Sequence, residues 1–185
     1  MDNTEATVEA TVDRLNADLL DIRQILNGAN YNVVQQFDIS SREFSEQFSL
    51  LYETNSDKIQ SVALYDQKGN LIASEPVAAE KKNVRVQTQE WFKNAEDVIE
   101  NIHFSTPHIQ ELFEDGSYRY QWVVSLSRYV DVNKGEIPET GILLLDMKYS
   151  VIRDVMKQIN DCSGGIYYYL ISQDGEMIYH QEERN

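Results

Sequence analysis

From Val8 onward the apolar residues fall at Val8, Val12, Leu15, Leu19, Ile22 and Leu26. The steps alternate between four and three, which places all six on one seam of a helix. Leu20, Ile25 and Ala29 widen that stripe beyond what a two-stranded coil requires. Thr4 to Asn27 would form a rod of roughly 36 Å at about 1.5 Å per residue, stopped near Gly28-Ala29-Asn30. Such a helix can pack on its own domain alone, or on its domain and a second copy of the chain. A second helix is announced by Ser40-Ser41-Arg42-Glu43, a capping box with Ser40 as N-cap and Glu43 reaching back. Ile39 and Phe44 stand where a hydrophobic staple forms. Phe44, Phe48, Leu51 and Tyr52 make its apolar face, and it runs to about Ser56.

The period then changes from helical to alternating. Ser61 to Ser74 is an apolar run, a short polar turn ending in Gly69, and a second apolar run: a hairpin whose glycine accepts positive φ. The pattern returns at Tyr167 to His180, with Gln173 and Gly175 in the places of Gln67 and Gly69. Between the copies, Pro76 to Val86 reads as a loop. Thr88 caps a third helix bearing Trp91, Phe92, Ala95, Val98, Ile99 and Ile102. Ile102 to Ser105 is a short strand, and His108 to Phe113 another, closed by Asp115-Gly116. In Tyr118 to Val130 the even positions are aromatic or apolar apart from Arg128, and the odd ones are largely polar. That is the pattern of an antiparallel strand covered on one side. Asp131 to Glu139 reads as a long loop, Thr140 to Met147 as the partner strand, and Val151 to Ile159 as a fourth helix. The sum is an α+β fold: an antiparallel sheet with a long N-terminal helix and helices mainly on one face.

Composition narrows the function. The 185 residues carry 31 acidic and 16 basic side chains, a formal net charge of -15, which repels nucleic-acid backbones and anionic membranes. A single cysteine, Cys162, excludes an internal disulfide framework. No apolar run approaches the roughly 20 residues of a membrane span. The opening Met1-Asp2-Asn3-Thr4-Glu5 is not a signal peptide. The chain is therefore expected to be cytosolic, or a piece whose membrane segments lie outside it. His103, His108 and His180 lack metal-ligand spacing, and no nucleophile elbow, phosphate loop or HExxH is present. Neither a metal, a cofactor nor a catalytic role is expected.

Three groups of residues carry a resemblance: Phe104-Ser105-Thr106-Pro107-His108-Ile109-Gln110, Trp122-Val123-Val124-Ser125-Leu126-Ser127-Arg128, and Asp174-Gly175-Glu176-Met177-Ile178-Tyr179-His180. With the long first helix, Leu64-Tyr65-Asp66-x-x-Gly69, Glu90-Trp91-Phe92 and Gly141 to Asp146, the chain resembles a double Cache sensor domain. This is the PAS-like extracytoplasmic module of bacterial receptors, and the likeness is greatest to sensor regions of YesM-type histidine kinases. The resemblance implies a helical region over 1–57, a membrane-distal lobe over 58–148 that holds a small-molecule pocket, and a connecting helix with the start of a membrane-proximal lobe over 149–185. It also implies flanking membrane helices, a homodimer formed through the N-terminal helix, and a kinase core beyond the membrane. Amino-acid-binding Cache domains place an arginine two residues before the tryptophan and a tyrosine after it. Here those positions hold Gln89 and Phe92, while Trp91 and Asp146 fit. The arginine clamp for a carboxylate is therefore missing, and the YesM-type resemblance, a family that often accompanies carbohydrate uptake, implies a sugar or glycan-derived ligand.

The candidate ligand-binding residues are Trp91, Tyr120, Trp122, Arg128, Asp146 and His103. The aromatics offer flat faces with polar edges, on which sugars stack. Arg128 stands on an aromatic strand face and needs a partner. Asp146, on an otherwise apolar strand, could accept ligand hydrogen bonds, cap the next helix or pair with Arg128. His103 could reach the pocket beside Ser105. The competing reading is a soluble PAS-like dimerisation domain without a ligand. A Cache sensor of a chemotaxis receptor or of a cyclic-dinucleotide enzyme is the remaining alternative.

Overall fold

A computed structural model describes residues 3–98, 102–114, 121–162, 164–165, 167–172 and 175–180. The first helix, α1, spans Asn3–Gly28 and widens into a π-helical segment, Ala29–Val34. Helix α2 is Arg42–Asn55. Strands β1 (Ile59–Asp66) and β2 (Leu71–Glu75) form the first hairpin. A 3-10 turn, Val86–Thr88, leads into α3, Glu90–Asp97. Two short strands follow, β3 (His103–Phe104) and β4 (His108–Ile109). The long pair β5 (Trp122–Lys134) and β6 (Ile137–Lys148) runs into α4, Tyr149–Cys162. Strands β7 (Leu170–Ile171) and β8 (Met177–Tyr179) form a separate two-stranded sheet.

The main sheet is antiparallel, in the order β2-β1-β6-β5-β3, with β4 also on β5. It is covered on both faces. On one, Leu15, Ile22 and Leu26 of α1, Phe44 and Phe48 of α2, and Ile152, Val155 and Met156 of α4 close over Val62, Leu64, Val124, Leu126, Leu143 and Leu145. On the other, Trp91, Phe92 and Ala95 of α3 join Val86, Leu112 and Phe113 over Ala63, Tyr65, Ile142 and Leu144. Three helices lie on one face and the short α3 on the other, the α+β arrangement expected from the hydrophobic pattern.

Four boundaries differ from the sequence reading. The N-cap of α2 is Ser41, whose hydroxyl accepts from Phe44 N–H at 3.1 Å. Ser40 is instead tied to the Asp38 carboxylate. Helix α3 is capped at Gln89 and ends at Asp97, so Thr88 lies in the 3-10 turn, with its hydroxyl on the Arg85 carbonyl. Asp131 to Glu139 is not a long loop: β5 and β6 stay paired through Lys134–Ile137, and Gly135 turns the chain at φ 73°. His108 to Phe113 is a strand only over its first two residues. Its Leu112 and Phe113 turn inward, and Lys81 N–H donates to the Leu112 carbonyl. The Asp115-Gly116 turn lies outside the described residues, as do Ile99 of the predicted third helix and Tyr118 and Tyr120 of the predicted strand.

The repeated hairpin is structurally repeated. In the first copy Asp66 N–H donates to Asn70 O at 2.9 Å and Gly69 N–H to Asp66 O at 3.0 Å; in the second Ser172 N–H donates to Glu176 O at 2.8 Å and Gly175 N–H to Ser172 O at 3.0 Å. Gly69 and Gly175 share φ 82°. Asp66 Oδ1 accepts the Asn70 N–H, and Ser172 Oγ accepts the equivalent Glu176 N–H. The second hairpin is pinned to α4, where Asn160 Oδ1 accepts Tyr168 N–H at 2.7 Å. None of the described helices is long and apolar enough to cross a membrane.

Candidate functional site

Pleating sends alternate residues of each strand to opposite faces, and register sets which side chains meet. Under α3 the partners form rows: Ser61, Asp146 and Ser125; Ala63, Leu144 and Ser127; Tyr65, Ile142 and Tyr129. Polar side chains thus lie inside a face otherwise closed by apolar ones. Ser127 Oγ donates to the Trp91 carbonyl at 2.8 Å and fastens α3 to the sheet.

Asp146 is the centre of this face and only 2% exposed. Its Oδ1 lies 2.5 Å from Ser125 Oγ. Burial pushes its carboxyl above the usual carboxylate range, opposed by hydrogen bonds from Ser125 and Ser61 and by the charge of His108. His108 reaches in from β4, with Nε2 3.1 Å from Ser125 Oγ. Ser105 holds this edge in place: its N–H donates to Ser125 O, and its hydroxyl accepts Ser125 N–H, both at 2.8 Å.

Two rows along, the Tyr65 side chain is fully buried against Trp91, ring centroids 5.5 Å apart. Its hydroxyl finds no hydrogen-bond partner among the described residues. Burial raises its pKa, with Glu80 and Asp146 adding to the shift. A buried hydroxyl left unpaired is costly, so Tyr65 is suited to bonding a guest.

The six predicted residues are divided by the sheet. Trp91 and Asp146 share the α3 face. His103, opposite Ser127 in β3, belongs to that face too, but its Nε2 lies 3.3 Å from the Val98 carbonyl and it braces the end of α3. Tyr120 lies outside the described residues. Trp122 and Arg128 stand on the opposite face, so the expected grouping with Trp91 is corrected. Trp122 packs beside Tyr149 of α4 and is 47% exposed. Arg128 donates from Nη1 to Asn27 Oδ1 and from Nη2 to the Tyr31 hydroxyl, each at 2.8 Å, with Tyr31 under its guanidinium. It joins the sheet to the first helix and does not pair with Asp146. The even face of the β5 stretch packs on the helical core, and the polar odd face lies beneath α3.

Ser61, Tyr65, His108, Ser125 and Ser127 escaped the sequence reading. Their one available signal was the serine alternation in Ser125-Leu126-Ser127, two small polar positions in a strand of buried residues. A separate open cavity of about 580 Å³ lies at the far end of the β5–β6 pair, lined by Asp66, Lys68, Asp131, Lys134 and Glu139 among others. None of the residues named around Asp146 lines it.

No protein-family model matches the chain, and no curated protein matches it in sequence. Solved structures do. The ligand-binding domain of the Pseudomonas aeruginosa PAO1 amino acid chemoreceptor PctC, in complex with GABA, superposes with a TM-score of 0.69 at 16% identity, over 96% of this chain and 74% of that one. The PctB domain from the same organism, in complex with L-Gln, gives 0.64 at 17% identity over 99% and 69%. The Pseudomonas fluorescens chemoreceptor CtaA domain, in complex with L-alanine, gives 0.65 at 18% over 96% and 70%. At such identities the likeness establishes the fold alone: a long N-terminal helix and an antiparallel sheet flanked by helices, as in these chemoreceptor domains.

Proposed function

We propose that this chain is the extracytoplasmic ligand-sensing domain of a bacterial transmembrane receptor, and that a small amine-bearing molecule binds on the α3 face against Asp146. One observation carries the reading: a buried carboxylate, bonded by Ser61 and Ser125 and sharing its face with the unpaired Tyr65 hydroxyl, lies under an apolar lid. Small-molecule sites pair an apolar lining with a few convergent polar groups. An ammonium supplies a full counter-charge and further donors to Asp146.

The fold neighbours support this choice, since each of the three is described in complex with a ligand that bears an amine. The sugar expectation relies on stacking. It is the weaker of the two, because Trp91 is 7% exposed and committed to Tyr65 and Phe92. Gln89 and Phe92 stand where amino-acid-binding relatives hold the carboxylate clamp, so ligands whose affinity rests on the amine are favoured over those that need both ends held. For the output, the YesM-type resemblance favours a histidine kinase, and the fold neighbours favour a chemotaxis transducer. The segment that follows the domain in the native gene separates the two.

A thermal-shift screen of amines, amino acids and sugars tests the proposal. A saturable rise in melting temperature with amines, abolished in Asp146→Ala and retained in Arg128→Ala, is the expected result. Stabilisation by sugars alone, lost in Trp91→Ala, would restore the carbohydrate reading. A tight dimer unresponsive to the whole library would make the chain an interaction domain.

A further inference from the structure

We propose that His108, Ser125 and Asp146 hold one proton in common across the α3 face, so that pH is a second input read at this site. That pH becomes an input depends on the sensing role proposed above; the shared proton depends only on the geometry.

Ser125 Oγ lies 2.5 Å from Asp146 Oδ1 and 3.1 Å from His108 Nε2, and a serine hydroxyl owns a single hydrogen. On the other side of the ring, His108 Nδ1 lies 2.9 Å from the Thr106 carbonyl oxygen, an acceptor, so Nδ1 carries a hydrogen. A neutral imidazole then presents a bare lone pair at Nε2. If Asp146 is ionised as well, the one serine hydrogen must serve two acceptors. One of the two contacts then sets lone pair against lone pair.

A single added proton satisfies both contacts, in either of two positions. On His108, Nε2–H donates to Ser125 Oγ, whose own hydrogen goes to the Asp146 carboxylate. On Asp146, the carboxyl hydrogen goes to Ser125 Oγ, and the serine hydrogen goes to Nε2. The two forms contain the same protons and differ by a concerted shift of two hydrogens along the chain. The proton belongs to the group, as in other strongly coupled pairs.

The surroundings leave this arrangement without rivals among the described residues. From β1 come the Ser61 hydroxyl, on Asp146, and the buried Tyr65 hydroxyl, which Glu80 of the following loop also influences. Ser105 Oγ lies 3.3 Å from His108 Nδ1. Lys148 follows Asp146 by two positions on the same face of β6, at the half-exposed end of the strand. His103 of β3 is turned to the Val98 carbonyl. The α3 side chains buried against the sheet are Trp91, Phe92 and Ala95, all uncharged. His108 is the one positive group acting on the Asp146 carboxyl.

A rise in pH removes the shared proton to solvent, and Ser125 can then keep only one partner. Strand β4 meets β5 at His108–Val123 and Ile109–Trp122, with Gln110 N–H on the Gln121 carbonyl, a short edge that losing the His108 contact loosens. An ammonium arriving at Asp146 has the same effect, because it replaces the proton as counter-charge and the displaced proton leaves for solvent.

The test is an NMR titration of the His108 imidazole and the Asp146 carboxyl carbon from about pH 5 to 9, the range in which histidine acts as a switch. Both signals should move with one common midpoint. Asp146→Asn should move the His108 signal away from the common midpoint, towards lower pH, and Ser125→Ala should separate the two signals, with melting curves confirming that each variant is folded. His108→Gln keeps a donor toward Ser125 and guards against loss of fold; in it the carboxyl step at the common midpoint should vanish. Separate midpoints in the unmodified protein, an unmoved His108 midpoint in Asp146→Asn, or no movement of either signal would each overturn the proposal. Calorimetry with GABA in two buffers of different ionisation enthalpy should show a proton released on binding. Failure of GABA to bind counts against the amine reading alone, and binding without release counts against the shared proton.

Discussion

At the scale of single residues, Asp146 sets the pH behaviour of stability. Its carboxyl is held above the usual range by burial, so the folded state binds its proton more tightly than the unfolded chain. Its contribution is complete below the unfolded value of about 3.9 and is lost as pH rises through the folded value. Asp146→Asn removes the ionisation and leaves a neutral acceptor for Ser125. It should therefore melt above the parent at about pH 8, by about 3 °C or more, the shift that one kcal/mol gives in a chain this size. The difference should close towards pH 4, as melting curves across that range would show. Gly141 is constrained by space instead. A Cβ there would overlap the Tyr65 carbonyl oxygen on the neighbouring strand, which is backbone and does not yield. Gly141→Ala should cost about 3 kcal/mol, read by urea unfolding. Asp146 was legible because a carboxylate on an apolar strand is unusual. Ser125 and His108 were not, since their role exists only through register and a loop that returns His108 to β5.

At the scale of elements, periodicity located the helices and strands, and local chemistry placed their ends less well. The capping box read Ser40 as the N-cap of α2, and the structure assigns the role to the adjacent Ser41. Ser41→Ala should destabilise by about 1 kcal/mol, while Ser40→Ala, on an exposed turn, should do so by clearly less; paired denaturation curves check the difference. The β5–β6 connection was read too long because Asp131, Asn133, Lys134 and Glu136 look like loop. Paired strands that reach past the core tolerate such polar residues, and Lys134 pairs with Glu139 across them at 3.1 Å. The duplicated hairpin was legible in full, because its geometry is written within a few residues: a glycine at positive φ and a side-chain acceptor at the turn's start.

At the scale of the whole molecule, the sheet separates the α3 face, where we propose the ligand binds, from a helical face. Arg128, Asn27 and Tyr31 tie β5 to α1 and its π-helical extension, Lys58 pairs with Asp21 of α1 at 2.9 Å, and Arg14 of α1 donates to Gln158 of α4 at 2.9 Å. These contacts link the sheet to the two helices that flank the domain in sequence. Arg128→Ala should lower stability by about 1–3 kcal/mol, because it abandons Asn27 and the Tyr31 hydroxyl. It should leave ligand affinity within about twofold, a difference below about 0.5 kcal/mol, by the same thermal-shift titration. A large loss of affinity would mean that the two faces are coupled or that the site is misplaced. The chain's own sequence determined the α+β class, the long first helix, the duplicated hairpin and two residues, Trp91 and Asp146, that share the face between α3 and the sheet. These follow from periodicity and from single residues out of keeping with their strand. Only the tertiary structure decided which face of β5 lies beneath α3. A strand buried on both sides reads in sequence like one buried on one side when its polar residues, here Ser125 and Ser127, are satisfied by partners far away in the chain.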